Sequence, residues 1–198
     1  MYSVFIPFLS KSKCIQRCLN ALHENSVHPH EIVTTIDETD VYYAFNEGVY
    51  KCKYDTVVLL NDDMIVSPGW DRLIPQYASP DYILTTYLYE KYGKDVVVGP
   101  SPLQADFGEE HDFNEKGFFE FAEKRGKEVS EFVDGACGWY MPMIVNKKTF
   151  IGFPNTVKYP HCANDYLMFH MARDIEVGYK FGVINSHVYH FAHASSRL

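Results

Sequence analysis

Short apolar runs alternate with amphipathic segments along the first 77 residues of the chain. Three segments are predicted to be strands: residues 4–6, 31–36 and 56–60. The last of them is a continuous apolar run, which predicts a strand covered on both faces. The segments between them predict two helices: residues 15–22, which Ser10 or Ser12 can cap, and 41–50, which Asp40 can cap. This order of strands and helices predicts a parallel sheet with right-handed crossovers.

The hydrophobic pattern of the second half is less regular. Further elements are predicted by shorter apolar or periodic segments: strands at residues 96–98, 141–145 and 180–191, and helices at 70–77 and 164–173. Residues 105–131 are polar and charged and contain three glycines. We expect this segment to form an exposed excursion of loop and helix.

Composition and charge narrow the class of protein. A chain of 198 residues, 46% hydrophobic and 22% charged, predicts one ordinary globular domain. Its net charge of −8 argues against nonspecific binding to nucleic acid or to an anionic membrane. No segment approaches the ~20 apolar residues of a transmembrane helix, and the N-terminus lacks the basic lead of a signal peptide. We therefore expect a cytosol-like compartment.

The run at residues 56–60 ends abruptly in Asn61, Asp62 and Asp63. Carboxylates at the carboxyl end of a buried parallel strand lie where open α/β sheets bind their ligands. Two adjacent negative charges there are costly unless a cation shares them, which predicts a divalent metal and a phosphate-bearing ligand. The alternative is a solvated turn, because Asn and Asp often hydrogen-bond their own backbone after a strand.

Three other positions carry groups suited to chemistry. Asp37 ends the second predicted strand, where it can accept a hydrogen bond from a base or ribose, or cap a turn. Asp165 opens a predicted helix, either as a cap or as a general base. The tail has three histidines in seven residues. On a regular strand His187 and His190 point to opposite faces, so they cannot both bind one ion.

Taken in order, these motifs resemble the GT-A glycosyltransferases, in particular the family 2-like group. Six segments carry the resemblance: residues 4–10, 31–38, 44–48, 60–63, 164–167 and 189–190. It implies an α/β fold with a Rossmann-like, mostly parallel central sheet flanked by helices and a smaller antiparallel element on the acceptor side. It also implies one domain, with a nucleotide-binding half at 1–77 and an acceptor and catalytic half at 78–198. Small virus-encoded members are similar in length, which would place the chain in host cytoplasm, and a domain of a larger glycosyltransferase is the alternative.

The resemblance also assigns roles to individual residues. It implies a Mn²⁺ or Mg²⁺ ion on Asp63 and His190, and a catalytic base at Asp165. Asn61 occupies the first position of the Asp-x-Asp metal motif, and Phe45 replaces the arginine usual in this group. Nucleotide contacts fall on Pro7, Phe8, Leu9, Asp37, Asn46, Asn61 and Asp62, and the acceptor side on Trp139, Tyr140 and His161.

The implied activity is metal-dependent transfer of a sugar, with inversion, from a UDP-sugar to a hydroxyl of a carbohydrate acceptor. Such a transfer needs charge stabilisation at the departing diphosphate and a base beside the acceptor hydroxyl. Two alternatives stay open. A sugar-nucleotide nucleotidyltransferase shares the sheet, although it normally has a glycine-rich loop after the first strand, and residues 9–13 contain no glycine. The other is a noncatalytic nucleotide- or sugar-binding domain.

Overall fold

The computed structural model describes residues 1–36, 41–92, 103–135, 141–150, 178 and 180–191, which form one mixed sheet with helices against it. The strands are β1 (Tyr2–Phe8), β2 (His30–Ile36), β3 (Thr56–Leu59), β4 (Met64–Val66), β5 (Tyr82–Glu90), β6 (Leu103–Gln104), β7 (Phe132–Asp134), β8 (Met143–Asn146) and β9 (Lys180–His190). The helices are α1 (Ile15–Asn25), α2 (Val41–Lys51), α3 (Ile74–Tyr77) and α4 (Glu115–Glu128). No helix in this part of the chain is long and apolar enough to cross a membrane.

The sheet has the strand order β2-β1-β3-β8-β5-β9-β4, with β6 paired to β5 and β7 paired to β9. Strand β1 is parallel to β2 and β3, and β5 is parallel to β9. Strand β8 is antiparallel to both β3 and β5, so β3 and β5 point in the same direction. The predicted α/β fold is therefore confirmed. Five strands, β2, β1, β3, β5 and β9, end at one edge of the sheet, here called the carboxyl edge.

The first half of the sheet forms as its apolar runs predict. Residues 57–60 are fully buried, as expected for a strand covered on both faces. Helix α2 approaches β1 so closely that a Cβ atom on Gly48 would lie 2.0 Å from the ring of Phe5. Phe45, also on α2, packs edge-on against that ring with 6.1 Å between centroids. Phe45 is thus a core residue.

The second half differs from the sequence-based prediction at two places. Strand β5 lies where no strand was predicted, because its tyrosines and threonines interrupt the apolar pattern. The segment at residues 105–131 is less exposed than expected: helix α4 buries Phe118 and Ala122 against the sheet. The strand predicted at 96–98, the helix predicted at 164–173 and the Asp40 cap lie outside the described residues.

Helix α4 covers β9 through a buried hydrogen-bonded network around His187. Tyr89 donates its hydroxyl proton to His187 Nδ1 at 3.0 Å, and His187 Nε2–H donates to Asn185 Oδ1 at 2.9 Å. Asn185 Nδ2 in turn donates to the carbonyl of Gly126 on α4 at 2.8 Å. The network uses both ring nitrogens of a neutral imidazole. Burial lowers the pKa of His187 to about 4, and the positive charge of Arg125 adds to this effect.

Candidate functional site

The carboxyl edge brings together groups that are far apart in the chain. Leu9 follows β1, and Asn61–Asp63 follow β3. Glu90 is the last residue of β5, and His190 is the last residue of β9. Ligands of open α/β sheets bind at this edge, so it is the candidate site of this fold.

Contacts from α1 and β9 hold the loop of Asn61, Asp62 and Asp63 in place. The Ser12 hydroxyl donates a short hydrogen bond to Asp62 Oδ2 and accepts the N–H groups of Cys14 and Ile15 at the start of α1. The loop backbone is held on both sides: the thiol of Cys18 contacts the Asn61 carbonyl at 3.7 Å, and the N–H of Phe191 donates to the Asp63 carbonyl at 3.0 Å. These contacts fix the loop before any ligand arrives.

Asp63, His190 and Glu90 form a line of three polar side chains at this edge. Asp63 Oδ1 lies 3.1 Å from His190 Nε2, and Glu90 Oε1 lies 2.5 Å from His190 Nδ1. All three are largely shielded from solvent, with side-chain exposures of 1% for Asp63, 14% for His190 and 13% for Glu90. The pairing of Met64 with His190 places Asp63 beside the end of β9.

The two carboxylates beside His190 favour the protonated, positively charged form of its imidazole. Burial disfavours a charged imidazole, but Asp63 and Glu90 outweigh that effect and raise the pKa of His190 to about 10. Burial also raises the pKa of Asp62, with Asp63 adding to the rise and the hydrogen bond from Ser12 opposing it. Asp62 and Asp63 are thus two neighbouring carboxylates with little access to solvent, and His190 supplies a positive charge beside Asp63.

The side chains described at the edge do not by themselves form a complete metal site. Among the residues that the structure describes, no three His, Cys, Asp or Glu side chains are grouped so that they could hold one metal ion. Asp63 and His190 present an oxygen and a nitrogen that are neighbours, whereas Glu90 lies at the other ring nitrogen. A cation here would therefore need further ligands, such as phosphate oxygens or water.

His187 lies on the opposite face of β9 from His190. Its ring stacks on Tyr87 and Tyr89, with centroid distances of 5.5 and 5.8 Å, beneath α4. Strand alternation predicts this separation of the two histidines, and the register of β9 shows it. His187 therefore has no access to the loop of Asp62 and Asp63.

The remaining predicted site residues are distributed as follows. Pro7 is buried in β1, Phe8 and Leu9 are half-buried at its carboxyl end, and Asn46 is half-buried on α2. Leu9 accepts a backbone hydrogen bond from Ser12 at 2.9 Å, which turns the chain from β1 towards α1. Five predicted residues lie outside the described residues: Asp37, Trp139, Tyr140, His161 and Asp165.

Sequence analysis missed Glu90 as a member of the site. The signal was present, because residues 82–89 are rich in Tyr, Thr, Ile and Leu and are followed by an acidic residue, as the run before Asp62 and Asp63 is. Sequence analysis identified Ser12 only as a possible helix cap. Its contact with Asp62 joins residues 50 positions apart and depends on the fold.

Comparison with known proteins gives structural similarity but no family. No protein-family model and no curated protein sequence matches the chain. The crystal structure of S. aureus TarS 1-349 in complex with UDP matches with a TM-score of 0.57 and 14% identity, over 95% of this chain and 60% of that one. TarS 1-349 in complex with UDP-GlcNAc matches with a TM-score of 0.53 and 15% identity, over 100% of this chain and 61% of that one. The likeness shows a shared fold, and the chain spans about 60% of the TarS 1-349 length.

Proposed function

We propose that this chain is a glycosyltransferase that binds a UDP-sugar at the carboxyl edge and transfers the sugar to a hydroxyl of a carbohydrate acceptor. The observation that carries the proposal is the pairing of Asp63 with His190 at that edge. It is supported by the fold shared with TarS, which has been solved with UDP and with UDP-GlcNAc. The sequence motifs independently suggest the same activity.

A divalent cation, Mn²⁺ or Mg²⁺, is part of the proposal. Asp63 Oδ1 and His190 Nε2 are 3.1 Å apart, and a carboxylate oxygen with an imidazole nitrogen is a donor set that suits Mn²⁺. These two residues would hold the ion once His190 releases its Nε2 proton, which its contact with Asp63 favours while the site holds no metal. The donor diphosphate would supply further oxygens. When bound, the ion stabilises the negative charge that develops on the departing UDP.

The nucleotide is proposed to lie across the ends of β1 and β3. Phe8 and Leu9 would form one side of its site, and Asn61 and Asp62 the other. Asp62 is suited to accept a ribose hydroxyl, since Ser12 holds one of its two carboxylate oxygens in a fixed position. Pro7, Asp37 and Asn46 complete the proposed nucleotide contacts.

The acceptor side of the proposal rests on sequence motifs. Asp165 is proposed as the general base that takes the proton from the acceptor hydroxyl while its oxygen bonds to the anomeric carbon and UDP leaves. A direct displacement of this kind inverts the anomeric configuration. Trp139, Tyr140 and His161 are proposed to contact the acceptor, because an indole or phenol ring offers an apolar face to a sugar.

Calorimetry and turnover measurements test the proposal together. UDP should bind at least tenfold more tightly with Mn²⁺ than with EDTA, and UDP-sugars should raise the melting temperature by mass action. GDP- and CMP-sugars are the matched controls for recognition of the uracil base of the donor. Release of UDP in the presence of a glycan acceptor panel would distinguish an enzyme from a noncatalytic binding domain. Equal UDP affinities in Mn²⁺ and EDTA would contradict the metal assignment, and failure of every UDP-sugar to bind would contradict the function.

A further inference from the structure

Glu90 has a contact that the proposed function does not explain. Its Oε1 lies 2.5 Å from Nδ1 of His190, on the side of the ring opposite Asp63. The two residues meet because β5 and β9 are parallel and, beyond a register shift after Thr85, pair Tyr89 with Tyr189, which makes Glu90 and His190 the next neighbours. The contact is therefore built into the central strand pairing of the sheet.

The backbone of Glu90 is itself held in place. Glu90 pairs with Gln104 of β6, and its carbonyl accepts the N–H of Ala105 at 2.9 Å. Its side chain is 13% exposed, so solvent competes weakly for the carboxylate. Glu90 is consequently a fixed acceptor rather than a mobile surface acid.

This geometry defines which ring nitrogen of His190 is available to a ligand. Nδ1–H donates to Glu90, and Nε2 is directed towards Asp63 at 3.1 Å. A carboxylate on the far nitrogen of a metal-binding histidine fixes the ring orientation and strengthens the histidine as a ligand. Glu90 itself is separated from the Asp63 side by the imidazole ring, so it cannot bind the same ion directly.

We propose that Glu90 is a positioning residue for the cation site: it holds the imidazole of His190 with Nε2 facing Asp63. This inference rests on the proposed function, because it assumes that Asp63 and His190 bind the cation. It adds a third protein residue to that site, one that acts through His190 and touches neither the ion nor the sugar nucleotide.

Two substitutions separate the hydrogen bond of Glu90 from its charge. Glu90→Leu removes the acceptor, whereas Glu90→Gln keeps an amide oxygen that can accept the Nδ1 proton. With UDP present, we expect Glu90→Leu to weaken Mn²⁺ affinity about 10- to 100-fold, the range typical of losing such a partner, and Glu90→Gln to weaken it less. Electron paramagnetic resonance titration of free Mn²⁺ measures both. Glu131→Leu, at an exposed acid beside Arg72, is the control and should leave the affinity unchanged.

A spectroscopic measurement detects the orientation of the ring independently of turnover. In protein labelled with ¹⁵N-histidine, pulsed electron paramagnetic resonance of bound Mn²⁺ reports a directly bonded histidine nitrogen. We expect this coupling in the wild type and in Glu90→Gln, and its loss or broadening in Glu90→Leu. If Glu90→Leu does not fold, Glu90→Asp replaces it in the test. The aspartate side chain is one methylene shorter, so its carboxylate is drawn back from Nδ1 of His190 while the charge is kept.

The outcomes separate this inference from the proposed function. If His190→Ala loses Mn²⁺ affinity but Glu90→Leu keeps both the wild-type affinity and the nitrogen coupling, the positioning role is refuted and the cation site stands. If His190→Ala and Asp63→Ala also bind Mn²⁺ as the wild type does, the cation site is refuted and the role of Glu90 with it. Loss in Glu90→Leu with retention in Glu90→Gln supports the proposal.

Discussion

Lowering the pH from 7 to 4 should destabilise the fold through His187. The imidazole is 4% exposed, stacked on Tyr87 and Tyr89, and hydrogen-bonded through both nitrogens in its neutral form. Protonation would place a second N–H against the Tyr89 hydroxyl and a charge in a buried site beneath α4. The folded protein therefore resists a proton that the unfolded chain accepts readily.

The size of the effect follows from the pKa values of the two states. Burial lowers the pKa of His187 from 6.5 to about 4, so between these values the unfolded chain binds a proton and the folded chain does not. The stabilising contribution is complete above pH 6.5 and is lost as the pH falls towards 4. At about 1.4 kcal/mol per pH unit, this difference amounts to about 3 kcal/mol.

Urea denaturation at pH values from 7 to 4 measures this contribution. His187→Phe keeps the ring stacking but cannot titrate. We expect it to be less stable than the wild type at pH 7, because Tyr89 and Asn185 lose their hydrogen bonds to the imidazole. Between pH 7 and 4, the free energy of unfolding of the wild type should fall by about 3 kcal/mol more than that of His187→Phe, because all other groups titrate in both proteins. His23→Gln, at an exposed histidine on α1, is the control and should follow the wild-type curve. If the wild type and His187→Phe lose the same stability over this range, His187 does not resist protonation and the reasoning is wrong.

Three further predictions test the site and the packing. Asp63→Ala and His190→Ala should each weaken UDP binding in Mn²⁺ at least tenfold in calorimetry without changing binding in EDTA; an equal loss in both conditions would contradict a cation role. Asp165→Asn should lower sugar transfer at least the ~10²-fold typical of losing a general base, with unchanged melting temperature and UDP-sugar affinity; unchanged transfer would remove the base assignment. Gly48→Ala should destabilise the fold by about 1–3 kcal/mol in urea denaturation, since its Cβ would overlap the ring of Phe5. Phe5→Leu in the same chain should recover part of that loss, and additive losses would argue against the overlap.

The sequence by itself determined most of the first half of the fold. Strands β1 and β3 were predicted because a strand buried on both faces appears as a continuous apolar run, which is local information. Strand β2 was predicted as well, although its exposed Ile32 and Ile36 show that one of its faces is not covered. The acidic loop after β3 was predicted from local information too, since Asp62 and Asp63 directly follow the apolar run of that strand. The assignments of Asp165, Trp139 and Tyr140 rest on motifs alone and stay predictions.

Tertiary structure alone decided how the second half completes the site. Strand β5 has no clear period in its sequence, because Thr85 and Thr86 are buried together with its leucines, so polarity does not mark one face of the strand. The contact between Glu90 and His190 joins residues 100 positions apart, and it exists because β5 and β9 pair in parallel with a particular register. Alternation along β9 predicts that His187 and His190 face opposite ways, but it cannot say which face carries the site. Helix α4 decides that by covering His187, which leaves His190 beside Asp63, because burial depends on what packs against a strand rather than on the strand itself.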